Sequence, residues 1–89
     1  MKTIYNLYIR CYNNTTKEVI YEGLRQSFDN MNEANETFNK ILKDCRKSGG
    51  VNSHGVRKFS PDNCEKHFYV LDGTIYKKVI LKRIRTYEQ

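Results

Sequence analysis

Among its 89 residues the chain has one proline, Pro61, no tryptophan and three cysteines. It has no run approaching the roughly 18 apolar residues that a membrane-spanning helix needs. Cys11, Cys45 and Cys64 are an odd number, so they cannot all pair within one chain, which predicts a reduced, intracellular protein. The first residues carry a lysine, but their apolar run is broken by Asn6 and Arg10 and no small-residue cleavage site follows, so they do not read as a signal peptide. The expected compartment is the cytoplasm. The chain also lacks internal repeats and low-complexity tracts. At this length one domain, 1–89, is expected, and it leaves little room for a deep enclosed active site.

What is present is basic and aromatic. The net charge is +6, and seven tyrosines and four phenylalanines supply enough large apolar surface to argue against disorder. The charge is unevenly placed. Residues 18–36 hold five acids and one arginine, whereas residues 37–58 hold six Lys/Arg and one acid. Acids near the start of a helix and cations near its end complement the helix dipole, which accounts for much of that contrast. The surplus lies further on. Residues 66–89 hold six Lys/Arg against two acids, and the stretch from Thr74 to Arg85 has five cations and no acid.

Periodicity predicts an α+β fold of order ββαββ. Tyr5, Leu7, Ile9 and Cys11 alternate with Asn6, Tyr8, Arg10 and Tyr12, Asn13-Asn14-Thr15-Thr16 is turn chemistry, and a shorter strand follows to Glu22 before Gly23. The first hairpin is therefore placed at 3–22. Asn30-x-x-Glu33 reads as a capping box. Met31, Ala34, Phe38, Ile41, Leu42 and Cys45 then form one apolar helical stripe, and Gly49-Gly50 ends a helix of about 30–48. A long loop at 49–65, with a short edge strand at Val56–Phe59, leads to a second hairpin at 66–85 across Asp72-Gly73. One amphipathic helix on one face of a four-stranded, mostly antiparallel sheet is the simplest way to bury that stripe. The other face is left for solvent or a partner.

The second hairpin is the candidate binding surface. A two-residue Asp72-Gly73 turn sets Tyr69 opposite Tyr76 and His67 opposite Lys78, with Tyr8, Arg10 and Tyr12 able to join from the first strand. Lys77, Lys78, Lys82, Arg83 and Arg85 supply cations for phosphates and the tyrosines supply rings for bases; Arg57 and Lys58, with Arg46 and Lys47, extend the patch from the loop. The competing account is cross-strand packing for the tyrosines and edge protection for the lysines. Apolar residues fall on both sides of the last strand, so either both sides are partly buried or a bulge near Lys77-Lys78 shifts the register.

Other chemistries find less. Cys45, His54, Cys64 and His67 form C-x8-H-x9-C-x2-H, of which only the last pair has a spacing familiar from zinc sites. Gly50-x4-Gly55 is followed by Val56-Arg57 where a phosphate loop needs Lys-Ser/Thr. No cofactor and no enzymatic activity are expected.

In its Asn/Lys/Tyr-rich composition, its length and its Phe28-Asp29-Asn30-Met31-Asn32-Glu33-Ala34 passage from hairpin to helix, the chain resembles small accessory proteins of phages and mobile elements of low-GC bacteria. Such passages also occur in arm-type DNA-binding domains of phage integrases, which normally have three strands before the helix where this chain has two. The resemblance implies an anti-defence inhibitor of anti-CRISPR type, docking through a basic surface on a host protein or nucleoprotein in the bacterial cytoplasm. The residues themselves support as an alternative a regulator that binds DNA or RNA directly. A homodimer, paired through a sheet edge or face, is a further candidate assembly.

Overall fold

A computed structural model of the chain describes residues 2–47, 59 and 64–86, apart from the side chains of Lys47 and Asp72. Its elements are β1 (Lys2–Asn13), β2 (Val19–Phe28), α1 (Met31–Lys47), β3 (Glu65–Asp72) and β4 (Ile75–Thr86). The strands form one four-stranded antiparallel sheet in the order β2-β1-β4-β3. The ββαββ fold read from periodicity is the fold observed.

The two strands furthest apart in sequence form the middle of the sheet. Every residue of β1 pairs with β4, from Lys2 opposite Thr86 to Asn13 opposite Ile75. Leu7 therefore meets Leu81, and Ile9 meets Val79, which in turn meets Phe68 of β3. Ala34, Phe38 and Leu42 of the helix close over this row together with Tyr5, Phe28 and Val70. Phe38 and Phe68 are fully buried and meet edge to face at 5.3 Å, an arrangement the ring quadrupoles favour. Losing a ring of this kind costs on the order of 3–5 kcal/mol, a large share of the ~5–15 kcal/mol that holds a small domain together.

Local chemistry fixes the element ends. Asn30 caps α1, its Oδ1 accepting from the amides of Asn32 at 2.8 Å and Glu33 at 3.2 Å. Met31 does not belong to the buried stripe; it is 47% exposed, whereas Ala34, three residues on, is fully buried. In the β1–β2 turn the Asn13 side chain accepts from Thr15 and Thr16, and Lys17 takes a left-handed φ of 63°.

The first hairpin is longer than its sequence suggests. β2 does not stop at Gly23 but runs to Phe28, with two register shifts against β1 that leave Ile20 and Arg25 without a direct partner. Gly23 sits within the ladder opposite Ile9, and the pull toward a longer strand comes from Phe28, which is 7% exposed and belongs to the core. The second hairpin turns one residue later than expected. Asp72 pairs with Ile75, leaving Gly73-Thr74 as the turn, because Gly73 supplies the positive φ (60°) required at the first central position. Tyr69 then lies opposite Lys78, His67 opposite Ile80 and Leu71 opposite Tyr76. The slip is two residues in the pairing sum, so every side chain keeps its face. β4 pairs without interruption on both sides, so there is no bulge at Lys77-Lys78; both of its faces are partly buried instead. The proposed strand at 56–59 lies outside the described residues except for Phe59, which packs against the core.

Among the described residues one core residue is charged. Lys66 is 5% exposed, on the helix side of β3, with its Nζ 4.6 Å from the centre of the Phe38 ring and 5.5 Å from that of Phe59. Burial pushes its pKa down from the usual lysine value. The ring faces offset part of the lost hydration. The unfolded chain binds the proton more tightly than the folded one, so stability rises with pH between the lowered folded value and the ordinary ~10.4 of the unfolded chain, and below that window the cost is present in full. Lys66→Met is expected to raise the melting temperature at neutral pH by about 4–8 °C, the shift that ~1 kcal/mol produces in a domain of this size. Thermal melts should show the gap between variant and wild type narrowing as pH rises toward ~10.4; a gap that stays constant, or a less stable variant, would contradict this account of Lys66.

Candidate nucleic-acid interface

The helix covers one face of the sheet, and the other face carries a repeated set of residue types. Side chains alternate along each strand, so the β1–β4 register brings onto the open face Asn6, Tyr8, Arg10 and Tyr12 from β1, and Tyr76, Lys78, Ile80 and Lys82 from β4. His67, Tyr69 and Leu71 of β3 extend these rows on one side, and Glu22 and Leu24 of β2 on the other. Tyr12, Tyr76 and Leu71 form one cross-strand row, Arg10, Lys78 and Tyr69 the next, and Tyr8, Ile80 and His67 a third.

The rings of these rows touch. Tyr12 and Tyr76 lie 5.0 Å apart between centroids, Tyr76 and Tyr69 5.6 Å, and Tyr69 and His67 5.2 Å, so an aromatic strip crosses three strands. Cations sit over the rings: Arg10 is 5.5 Å from the centre of Tyr12, Lys78 5.3 Å from that of Tyr69, and Lys82 5.7 Å from that of Tyr8. Arg10 and Lys78 are directly opposite each other, a like-charge cross-strand pair that works against folding. Glu22, 3.9 Å from Arg10 and half exposed, offsets this only weakly. Beside the strip lies a hollow of about 240 Å³, bordered by Tyr8, Arg10, Glu22, Lys78, Ile80 and Lys82. At one side of the face Glu65 lies opposite Lys82 and 3.7 Å from His67 Nδ1.

Of the residues expected to form one basic surface, the fold brings together only some. Lys78, Lys82, Tyr69, Tyr76 and His67 share the open face with Tyr8, Arg10 and Tyr12. Lys77, Arg83 and Arg85 point to the helix side: Lys77 lines a hollow with Cys11, Tyr21 and Arg25, Arg83 lies over the Phe59 ring at 5.3 Å, and Arg85 pairs with Thr3. Arg57 and Lys58 lie outside the described residues, and Arg46 is exposed on α1. The edge-protection account of the lysines does not hold, because β4 is an interior strand. Glu22 and the hollow it borders were not foreseen; no local signal marks a residue that reaches the face only through a long-range register.

The four residues considered for zinc do not form one cluster. Cys45 packs against the core on the helix side, whereas His67 stands on the open face, with the sheet between them. Burial raises the Cys45 pKa, with Lys77 drawing it back and Asp44 adding to the rise, so the thiolate a metal requires is disfavoured. Cys64 is exposed, and His54 lies outside the described residues. Among the described residues no three His, Cys, Asp or Glu side chains come together to hold a metal ion. No described helix is long and apolar enough to cross a membrane.

No known protein family, curated protein or solved structure matches the chain. Its function must be read from the face itself.

Tyr76 sits at the centre of the strip. Its pKa is raised, first by burial and then by the neighbouring Tyr12 and Tyr69 hydroxyls. In a spectrophotometric titration a late-ionising tyrosine component is therefore expected above pH ~10, absent from Tyr76→Phe. A variant curve that merely loses an ordinary tyrosine would show that this ring is not packed as described.

Proposed function

We propose that this protein is a non-enzymatic binding protein whose working surface is the open sheet face, and that it contacts nucleic acid directly. The observation that supports this most is the alternation of rings and cations on one face, which no described element covers: Tyr12, Tyr76, Tyr69 and Tyr8 interleaved with Arg10, Lys78 and Lys82. Rings supply stacking surfaces for bases, and cations neutralise phosphates and release condensed counterions. The opposed Arg10 and Lys78 add a reason for an anionic partner, since a phosphate between them turns a repulsion into two attractions.

A second reading has its own support. Leu24, Leu71 and Val19, 45–50% exposed, edge the same face, and apolar side chains of this kind are better buried by protein than by a phosphate backbone. They favour a phage-type inhibitor that docks on a host nucleoprotein, with the basic rows meeting an acidic or nucleic-acid-lined surface. The positive net charge argues against the acidic DNA mimic as the form such an inhibitor takes.

Gel shifts with short oligonucleotides at low salt, followed by a salt titration, separate the two. Direct binding predicts affinity that falls steeply with salt, with the log–log slope made shallower by roughly 0.7 for each of Lys78→Ala and Lys82→Ala, while Lys77→Ala, on the other face, changes it little. Absence of any shift from correctly folded protein would reject direct binding. Recovery from host lysate of a stable complex that survives nuclease treatment and is lost on charge reversal at Lys78 and Lys82 would then establish the inhibitor reading.

A further inference from the structure

Building on the nucleic-acid reading, we infer that the bound nucleic acid is single-stranded, with unpaired bases stacked along Tyr12, Tyr76 and Tyr69, one base seated in the hollow beside Tyr8 and Ile80, and phosphates held by Arg10, Lys78 and Lys82. The first ground is the shape of the face. Four strands spaced ~4.8 Å apart span roughly 14 Å between the outer backbones, before side chains are added. The major groove of a duplex, about 12 Å wide, admits a helix or a two-stranded ribbon but not a sheet of this width. Nothing in the described face projects as a narrow element, so a duplex would meet the lysines through its backbone and leave the tyrosines without a partner. Paired bases bury their faces in their own stack. Unpaired bases offer them.

The second ground is how rings and cations are coupled. The three cations nearest the aromatic strip each lie over a ring, Arg10 on Tyr12, Lys78 on Tyr69 and Lys82 on Tyr8. A base arriving on the ring displaces the cation sideways, toward the phosphate that the same nucleotide brings. Stacking and phosphate contact are then made by one nucleotide at one position. A backbone contact alone leaves the rings covered by their cations and gains no stacking.

The third ground is the hollow. Its volume of about 240 Å³ exceeds the roughly 150 Å³ cavity known to accept a benzene ring. Its lining combines the apolar surface of Ile80 and Tyr8, the cations Arg10, Lys78 and Lys82, and the carboxylate acceptor Glu22. A flat heteroaromatic ring with attached phosphates matches that arrangement of chemistry. An acidic peptide matches only the cations.

Competition binding tests the inference, using a fluorescent single-stranded oligonucleotide, the same sequence as duplex, and inorganic polyphosphate as competitors. Single strands, DNA or RNA, should compete at least ten-fold better than duplex or polyphosphate of equal charge. Because the chain has no tryptophan, its intrinsic emission comes from tyrosine, and stacking should quench it with the single strand but not with polyphosphate. Tyr76→Leu and Tyr12→Leu keep apolar bulk but lose the ring; with unchanged circular dichroism they should weaken single-strand binding about five-fold or more and leave duplex binding alone. Lys78→Gln should weaken both. Equal competition by duplex or polyphosphate, or full single-strand affinity in Tyr76→Leu, would overturn the single-strand inference while leaving a basic nucleic-acid surface in place. No binding of either form would overturn the underlying reading as well.

Discussion

The antiparallel ladder between β1 and β4 is the constraint on which the rest of the molecule depends. It joins strands from the two ends of the sequence, residue for residue, and makes both of them interior strands. Its register places Leu7 and Ile9 against Leu81 and Val79 on one side and Tyr12 and Arg10 against Tyr76 and Lys78 on the other. A slip of one residue would exchange the two faces. The core beneath the helix and the aromatic strip opposite it are thus set by the same hydrogen bonds.

The two faces resolve their charges differently. On the helix side Lys66 is carried into the core and rests against Phe38 and Phe59, and Arg83 stacks on the second of these rings. These cations are used up in packing. On the open face Arg10 and Lys78 confront each other across a strand pair, and Glu22, 3.9 Å from Arg10, is at the limit of an ion pair. A fold optimised only for stability would separate such charges or place an acid between them. Keeping them together beside a row of tyrosines is intelligible if an anionic partner completes the arrangement.

One edge strand differs from the middle in the same sense. β2 is exposed along most of its length, with Ile20 and Tyr21 open to solvent, and its two bulges interrupt what would otherwise be a long flat edge. The helix meets this strand at its Phe28 end, and the rest of the margin stays exposed. The centre of the open face lies over the uninterrupted β1–β4 ladder, so its side chains are presented by backbone that is held on both sides, a suitable base for stacking platforms.

Sequence by itself determined the local units. The spacing of Ala34, Phe38 and Leu42 defined the helix, Asn30 its start, and the alternation of Tyr5, Leu7 and Ile9 the buried side of β1. Periodicity also identified the residues sharing a side within each strand, which is why Tyr69, Tyr76 and Lys78 stayed together even though the turn moved by one residue. Only the tertiary structure decided how these units meet. It extended β2 through Gly23 to bury Phe28, put β4 inside the sheet, and divided its five cations between two faces. The reason is physical: alternation and capping are satisfied within a few residues, whereas strand order is chosen by which long-range pairing buries the most apolar surface, and no local period records that choice.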